Sequence, residues 1–225
     1  MPDRSAVFDS PELEAAFLGV VDREGKIAAA LEDLGPVAGH DVMLLDAGRG
    51  HLAHELSSVG ARVLAVPLPD PTDEAAAVAL IGELPAESAD TVVVPWSELA
   101  LPGSAFIAAA DRLLRPRGKL LLIHDYGRDE VWSLWPDRRN RVVEWSHRRG
   151  PFLGDEFRVR VIHSRWAFES MEQARTLLVA GFGERGAELA DGMKRLHLEY
   201  RVAVYHRWAL AARVLVRFDD EATTD

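Results

Sequence analysis

Cysteine is absent from the 225 residues of this chain. Its absence excludes disulfide bonds, thiolate metal sites and a cysteine nucleophile. Long apolar runs are also missing, because no stretch approaches the roughly 18 residues of a membrane-spanning helix. The first ten residues do not show the basic-then-apolar order of a secretory signal. We therefore expect a soluble, cytoplasmic protein that does not bind membranes.

The chain has fewer basic than acidic residues. Lysine and arginine number 26 against 36 aspartate and glutamate residues, which gives a formal net charge of −10. A surface of this sign repels phosphate backbones and anionic lipid headgroups, so general nucleic-acid binding is not expected. Apolar residues make up 48% of the chain, which is enough for a sizeable core in a single domain.

One stretch shows the order strand, glycine-rich turn, helix and strand. An apolar run begins at Val42 and ends in Asp46, and the turn Ala47-Gly48-Arg49-Gly50 follows it. A helical pattern then leads to a second apolar run at 63–66. Glycine allows backbone conformations closed to other residues and lets a ligand approach the main chain. Open α/β sheets bind ligands at the carboxyl ends of their strands, so this turn is predicted to hold a cofactor.

The next part of the chain repeats strand and helix. Continuous apolar runs predict buried strands at 91–94 and 119–123, with a helix at 104–114 between them. A helix near 72–78 and a third strand near 79–81 are predicted for the connection before them. Alternation of this kind is typical of a parallel sheet with helices on both faces.

The two ends of the chain follow a different pattern. Two helices are predicted before the first strand, one starting after the N-cap Ser10 and the other covering 23–34. They would form either a lid over the strand ends or a cover for a sheet edge. Late in the chain, strands are predicted at 157–166 and 200–206. Between them lie two helices, and the first opens with the capping box at 170–173.

The turn and two later segments resemble the class I S-adenosylmethionine-dependent methyltransferases. The first motif of that family is an apolar strand followed by D/E-x-G-x-G-x-G, and this chain has Asp46-Ala47-Gly48-Arg49-Gly50-His51-Leu52. Residues 84–93 resemble the approach to the family's fourth strand, and 112–120 resemble its turn into the fifth. The resemblance implies a Rossmann-like α/β fold, a three-layer αβα sandwich. Its seven-stranded sheet would be mostly parallel, with the last strand antiparallel.

The chain length and the acidic end of the sequence predict the domain limits, and the resemblance implies the function. Residues 1–218 would form one methyltransferase-like domain, with a helical cap over about 1–38, and 219–225 would be a disordered acidic tail. The cofactor would be S-adenosylmethionine, and the activity would be that of a transferase that methylates a small-molecule substrate. A homodimer is left open by the sequence.

The cofactor site follows residue by residue from the resemblance. Its methionine-binding turn would consist of Asp46, Ala47, Gly48, Arg49 and Gly50. Pro67 and Leu68 end the second strand, where the family usually has an acid that holds the ribose hydroxyls. Glu83 is the nearest acid to the position that faces the adenine amine, which falls near Leu80.

Three positions depart from the family pattern, and they motivate an alternative function. Leu52 replaces the third glycine, Pro67 the ribose carboxylate and Leu80 the adenine-facing acid. Each lost charge-assisted hydrogen bond would cost about 1.5–3 kcal/mol. The alternative is a methyltransferase-like protein without catalysis, serving as a binding or assembly module. A third hypothesis, a nicotinamide-dependent oxidoreductase, rests only on the fit of 48–53 to GxGxxA, and Asp46 argues against it.

Candidate catalytic residues follow the predicted fifth strand. His124, Asp125 and Tyr126 would either orient the substrate and act as a general base, or close the end of the strand. Four tryptophans would line a substrate pocket or an interface, or else pack in the core: Trp132, Trp135, Trp145 and Trp166. His51 and His54 are three residues apart on one helix, but no spacing suggests a third ligand, so no metal site is predicted.

Overall fold

The computed structural model describes residues 10–45, 50–68, 72–135, 145 and 147–209. Six strands are present in this part of the chain: β1 (Asp41–Leu45), β2 (Arg62–Val66), β3 (Ala89–Pro95), β4 (Leu114–Asp125), β5 (Arg158–Ala167) and β6 (His197–Trp208). The helices are α1 (Pro11–Leu18), α2 (Lys26–Leu34), α3 (His51–Ser58), α4 (Glu74–Gly82), α5 (Ala105–Arg112), α6 (Pro151–Gly154) and α7 (Met171–Gly192). A short 3-10 helix covers Val131–Leu134. The predicted tail at 219–225 lies outside the described residues.

The strands form one mixed sheet in the order β2-β1-β3-β4-β6-β5. The first four pair in parallel, whereas β6 runs antiparallel to both of its neighbours, β4 and β5. The mostly parallel sheet and the antiparallel last strand are therefore confirmed. Seven strands are not confirmed, since the described residues provide six.

The strand predicted near 79–81 is wrong, because that segment belongs to α4. The helix opens at the N-cap Asp73, whose carboxylate accepts a hydrogen bond of 2.9 Å from the backbone N–H of Ala76. Ala75, Ala76 and Ala77 follow, and alanine is the best helix former. The apolar residues at 78–81 continue this helix instead of starting a strand.

Helices cover both faces of the sheet, and each face has its own core. One core lies between the sheet and α1, α2, α3 and α7, and it contains Leu44 of β1 and Leu121 of β4. The other lies under α4, α5 and α6, and it contains the next residue of β1, Leu45, and the preceding residue of β4, Leu120. Neighbouring strand residues thus point into opposite cores, as expected for a sheet buried on both sides. In the described part of the chain, no helix is long and apolar enough to cross a membrane.

The segment around the two amino-terminal helices covers the outer edge of the sheet. Ser10 caps α1 as predicted, accepting a hydrogen bond of 3.2 Å from the N–H of Leu13. After α1, Val21 forms an antiparallel bridge with Trp166 of the edge strand β5. Asp22 then accepts hydrogen bonds from the hydroxyl of Ser164 and from the backbone of α2. These contacts favour the edge-covering interpretation over a lid.

The late helical region is one helix with a sharp break. Ser170 caps it as predicted, accepting a hydrogen bond of 3.0 Å from the N–H of Gln173. Gly183 interrupts the helix with a left-handed φ of 58° and a ψ of −131°. This break separates the two helices expected from the sequence.

Candidate cofactor and active site

The carboxyl ends of the four parallel strands share one edge of the sheet, where the cofactor turn is predicted. Asp46, Ala47, Gly48 and Arg49 lie outside the described residues. Gly50 is described: it has a left-handed φ of 83° and precedes α3 as its N-cap. Side chains rarely tolerate that φ, so glycine is required there. The amino end of α3, with its unpaired N–H groups and its positive dipole end, thus follows directly on the predicted turn.

Leu52 does not obstruct this site. Its side chain is only 6% exposed and packs in the core between the sheet and α2 and α3. The residue at the family's third glycine position therefore points towards the sheet.

His51 begins α3, next to Gly50. Its Nε2 lies 3.4 Å from Oε1 of Glu55, one turn further along the helix. The hydrogen bond to Glu55 raises the pKa of His51, although partial burial opposes the shift. Among the described residues, no group of three or more histidine, aspartate or glutamate side chains could hold a metal ion.

The end of β2 carries no carboxylate among the described residues. Pro67 is exposed, and Leu68 is buried in the core under α4 and α5. The chain therefore turns inward directly after the ribose position of the family. Asp70, the next acid in the sequence, lies outside the described residues.

Glu83 is far from the predicted cofactor site, which corrects the assignment made from the sequence. It follows the last residue of α4 and is exposed. Arg112, at the end of α5, donates hydrogen bonds to the carbonyl oxygens of Ile81 and Leu84 at 2.7 and 2.8 Å. These contacts hold this helix end beside the amino-terminal ends of β3 and β4. Because β3 is seven residues long, roughly 20 Å separate this edge from the carboxyl ends of the strands.

His124 and Asp125 point to opposite faces of the sheet, so they do not form one catalytic pair. His124 is 3% exposed and lies on the α6 side, where its ring centroid is 4.8 Å from that of Trp145. Burial lowers the pKa of His124 to about 4, which keeps the imidazole neutral. Tyr126 is half-buried and packs on the same side as His124.

Asp125 is buried on the α7 side and accepts two hydrogen bonds. Its Oδ1 accepts one of 2.6 Å from the hydroxyl of Tyr200 on β6 and one of 3.0 Å from Nε1 of Trp96. Neither donor was identified from the sequence, because they lie 75 residues after and 29 residues before Asp125. The carboxylate thus connects the ends of β3, β4 and β6.

Trp96 has an uncommon backbone conformation. It follows the last residue of β3 with a φ of 50°, and its N–H donates a 2.7 Å hydrogen bond to the carbonyl of Ile123. A positive φ at a bulky residue costs about 1–3 kcal/mol and persists only where surrounding contacts hold it. Such residues cluster at functional sites. Trp96 is therefore a candidate site residue that sequence reasoning missed, although its place directly after a buried strand was a usable signal.

Asp129 is a second acid near the end of β4. Its Oδ2 accepts a 2.8 Å hydrogen bond from the N–H of Arg201, and its Oδ1 has no partner among the described residues. Burial raises the pKa of Asp129 to about 6, with a contribution from the negative charge of Asp125. The carboxyl end of β4 therefore carries two acids.

The four tryptophans named from the sequence differ in burial. Trp135 and Trp166 are buried and pack edge to face, with ring centroids 6.0 Å apart. Trp132 is half-buried against Gly127. Trp145 is half-buried beside His124. Core packing thus accounts for Trp135 and Trp166, whereas Trp145 lies next to a candidate site residue.

Replacing Asp125 by alanine is expected to lower the free energy of unfolding by about 2–4 kcal/mol, because two buried donors lose their acceptor. Asp125→Asn keeps an oxygen at this position and should cost about half as much. Urea denaturation of both variants measures the difference. Equal losses for alanine and asparagine would show that these hydrogen bonds do not stabilise the strand ends.

Comparison with known proteins identifies the fold. No family model matches the sequence, and no curated protein matches it significantly. Solved structures do match, and they show that the chain has the fold of the class I S-adenosylmethionine-dependent methyltransferases.

Two of these structures illustrate the similarity. A candidate type II methyltransferase from Anaeromyxobacter dehalogenans is 18% identical with a TM-score of 0.51, and the match covers 83% of this chain and 96% of that one. A candidate methyltransferase from an antibiotic biosynthesis pathway of Anabaena variabilis ATCC 29413 is 14% identical with a TM-score of 0.50. That match covers 84% of this chain and 99% of the other. At these identities the similarity concerns the fold.

Proposed function

We propose that this protein transfers a methyl group from S-adenosylmethionine to a small-molecule acceptor. The observation that carries the proposal is the pair of elements that border the glycine turn in the sequence, β1 before it and α3 after it. Gly50 begins α3 in a left-handed conformation, and Leu52 is packed in the core. In the sheet, β1 lies next to β3, and β3 lies next to β4. Trp96 follows the end of β3, and Asp125 is the last residue of β4.

The residues of these two elements and of the turn between them suit the cofactor. Asp46 directly follows β1 in the sequence, and its carboxylate would attract the cationic amine of the methionine portion. Unpaired N–H groups at the start of α3 would accommodate the carboxylate of the same portion. When bound, S-adenosylmethionine supplies an electrophilic methyl group on a sulfonium. The protein's part is to hold the acceptor atom in line with that methyl group, which is mainly a matter of positioning.

The end of β4 provides the positioning groups. Asp125 holds the indole of Trp96 and the phenol ring of Tyr200 with two hydrogen bonds, so neither ring is free to turn. Tyr200 is buried and Trp96 half-buried, and both pack in the core on the α7 side of the sheet. The acidic net charge of −10 supports a small-molecule acceptor over a nucleic acid.

The sheet order argues against the nicotinamide-dependent oxidoreductase. Dinucleotide-binding domains of the Rossmann type have a parallel sheet in the order 3-2-1-4-5-6. Here an antiparallel strand, β6, lies between β4 and β5. The match of 48–53 to GxGxxA therefore has no support from the sheet.

Two of the three departures that motivated the inactive binding module no longer support it. Leu52 does not fill the site, so its departure from the family pattern does not predict an occluded cleft. Leu80 lies in α4 and packs against the core, and it is not at the end of a strand. Pro67 still supports the inactive alternative, since no described residue at the end of β2 offers a carboxylate for the ribose. We therefore expect binding of the cofactor, at modest affinity.

Titration calorimetry with S-adenosylhomocysteine tests the cofactor site. Asp46→Asn should weaken binding by about 10–100-fold, because a charge-assisted hydrogen bond is lost. Glu83→Gln is the matched control, since Glu83 lies at the other edge of the sheet, and it should leave the affinity unchanged. Absence of binding to the unaltered protein at millimolar ligand would overturn the proposed function.

A further inference from the structure

Cationic side chains lie together on one face of the sheet, at the edge where the parallel strands begin. In the strand register, Lys119 of β4 is opposite Trp208, the last residue of β6. His206, two residues before Trp208, is opposite Arg158 of β5. Residues two apart on a strand share a face, so these four side chains and that of Arg160 point to the same side. We refer to Lys119, Arg158 and Arg160 together as the basic patch.

The basic patch faces solvent. Leu121, two residues after Lys119, is buried in the core under α1, α2, α3 and α7. On the same side, Arg158 and Arg160 are exposed, and Trp208 is 51% exposed. Nζ of Lys119 lies 4.3 Å from the centre of the Trp208 ring, a distance at which a cation and an aromatic face attract each other. The patch is therefore accessible to a binding partner.

No carboxylate of the described residues balances the charge of the basic patch. Among these residues, Lys119, Arg158 and Arg160 form no ion pair. Burial and the charge of Arg158 lower the pKa of Lys119. Burial and the charges of Lys119 and Arg158 lower the pKa of His206 to about 4, so its imidazole is neutral at pH 7. The charges that shift both pKa values are thus cations, in a chain whose formal net charge is −10.

Uncompensated positive charge of this kind is costly. Two like charges repel each other, and the repulsion grows where burial lowers the effective dielectric constant. Charges that are taken out of water in proteins are normally paired. Lys119 is half-buried, and the only charge that shifts its pKa is another cation. The basic patch consequently favours the binding of an anion.

The chain itself supplies acidic residues a short distance beyond the patch. The N–H of Ala209 donates a hydrogen bond of 2.9 Å to the carbonyl oxygen of Gly118, so β6 ends beside Lys119. The segment 219–225 contains four acidic residues and no basic one. Asp219 is ten positions after Ala209, and ten residues of random coil span about 16–19 Å. The patch is two strand spacings wide, about 10 Å, so the acidic segment can reach all of it.

We propose that the acidic segment 219–225 binds to the basic patch of the same chain, with its carboxylates facing Lys119, Arg158 and Arg160. A segment tethered this closely has an effective concentration in the millimolar range. A second copy of the chain or a nucleic acid would have to approach against the net charge of −10. The bound segment neutralises the patch and keeps other anions from it. This inference does not depend on the proposed methyl transfer.

Carbodiimide coupling tests the contact directly, because the reagent joins an amine to a carboxylate without a spacer and only where the two meet. The chain has three lysines: Lys26, Lys119 and Lys194. After digestion of the unaltered protein, mass spectrometry should show Lys119 joined to residues 219–225, at a yield at least about 5-fold above that of Lys194. Lys26 is the positive control for the reagent, since its Nζ lies 2.6 Å from Oε2 of Glu24.

Charge variants separate a specific contact from random coupling. Replacing both Arg158 and Arg160 by alanine should lower the coupling yield of Lys119 about 5-fold, because the amine remains while its neighbouring cations are lost. The matched control replaces Arg175 and Arg185 by alanine, which removes two exposed cations from α7 and should leave the yield unchanged. Salt at 1 M should also lower the yield, since it screens an exposed contact.

Pyrophosphate binding measures the competition of the acidic segment with a free anion. A chain shortened after Phe218 should bind pyrophosphate at least about 5-fold more tightly than the unaltered protein, because the competing carboxylates are gone. In the shortened chain, Lys119→Met should abolish this gain. Equal affinity with and without 219–225 would overturn the proposal.

The coupling products decide between the same chain and other partners. Residues 219–225 joined to Lys119 within one chain support the proposal. Coupling only between two chains, seen as a covalent dimer on denaturing gels, would overturn the assignment to the same chain. A yield for Lys119 no higher than that of Lys194 would overturn the contact itself. None of these results bears on the binding of S-adenosylhomocysteine, so the proposed methyl transfer is tested separately.

Discussion

Replacing Asp111 by alanine is expected to lower the free energy of unfolding by about 3–5 kcal/mol. Asp111 of α5 receives two parallel hydrogen bonds from the guanidinium of Arg207 on β6, of which the Nη1–Oδ1 contact is 2.8 Å. Arg207 is only 5% exposed, and its Cζ lies 4.8 Å from the ring centre of Phe157. Without Asp111, a buried cation remains with no compensating charge, and that is the costly part of breaking such a pair.

A surface pair of the same chemistry provides the control. Arg175 and Asp191 form an ion pair on α7, with side chains 54% and 65% exposed. Asp191→Ala should therefore cost no more than about 1 kcal/mol. Urea denaturation of both variants measures the contrast. The double variant Asp111→Leu with Arg207→Met should recover most of the stability, because it removes both charges together.

If Asp111→Ala costs no more than Asp191→Ala, then the pair does not attach α5 to β6. This attachment matters for the candidate site, because β6 also contributes Tyr200, whose hydroxyl donates a hydrogen bond to Asp125. A loosened β6 would displace Tyr200.

Replacing Gly186 by alanine is expected to destabilise the protein by about 3 kcal/mol or more, since a backbone clash exceeds ordinary overpacking. A Cβ atom at this position would overlap the backbone carbonyl of Leu178. The close approach arises because Gly183 breaks α7 and brings its second half against the first. The neighbour is backbone, so no rotation of a side chain can relieve the overlap.

Gly192 of the same helix is the control for Gly186. No atom lies within 4 Å of a Cβ placed there, and its φ is not positive. Gly192→Ala should leave the stability unchanged or raise it by up to about 1 kcal/mol, because alanine favours helix. The same substitution is thus expected to lower the free energy of unfolding at Gly186 and not at Gly192. The midpoints of urea denaturation measure both changes. A midpoint for Gly186→Ala at or above that of the unaltered protein would show that the two halves of α7 do not approach this closely.

Local patterns were sufficient to predict most helices and strands. The apolar runs before Asp46 and His124 became β1 and β4, and the caps at Ser10 and Ser170 begin their helices as predicted. These features depend on residues close together in the sequence. The strand expected near 79–81 is wrong, because the helix that begins after Asp73 continues through these apolar residues to Gly82.

The candidate site was only partly predictable. Sequence patterns located the start of α3 at Gly50 and the end of β4, because glycines and strand ends are local signals. They placed Glu83 wrongly, since its distance from the site depends on the direction of α4. They also missed Trp96 and Tyr200, whose contacts with Asp125 arise only when distant segments pair.

The sequence by itself determined the order of elements, the glycine turn and the family that this order resembles, because each depends on short-range propensity and periodicity. Only the tertiary structure decided how the predicted residues combine. His124 and Asp125 point to opposite faces of the sheet. The register of β4 against β6 places Tyr205 beside His124 and Tyr200 beside Asp125. That register depends on packing across the whole sheet, which no local pattern records.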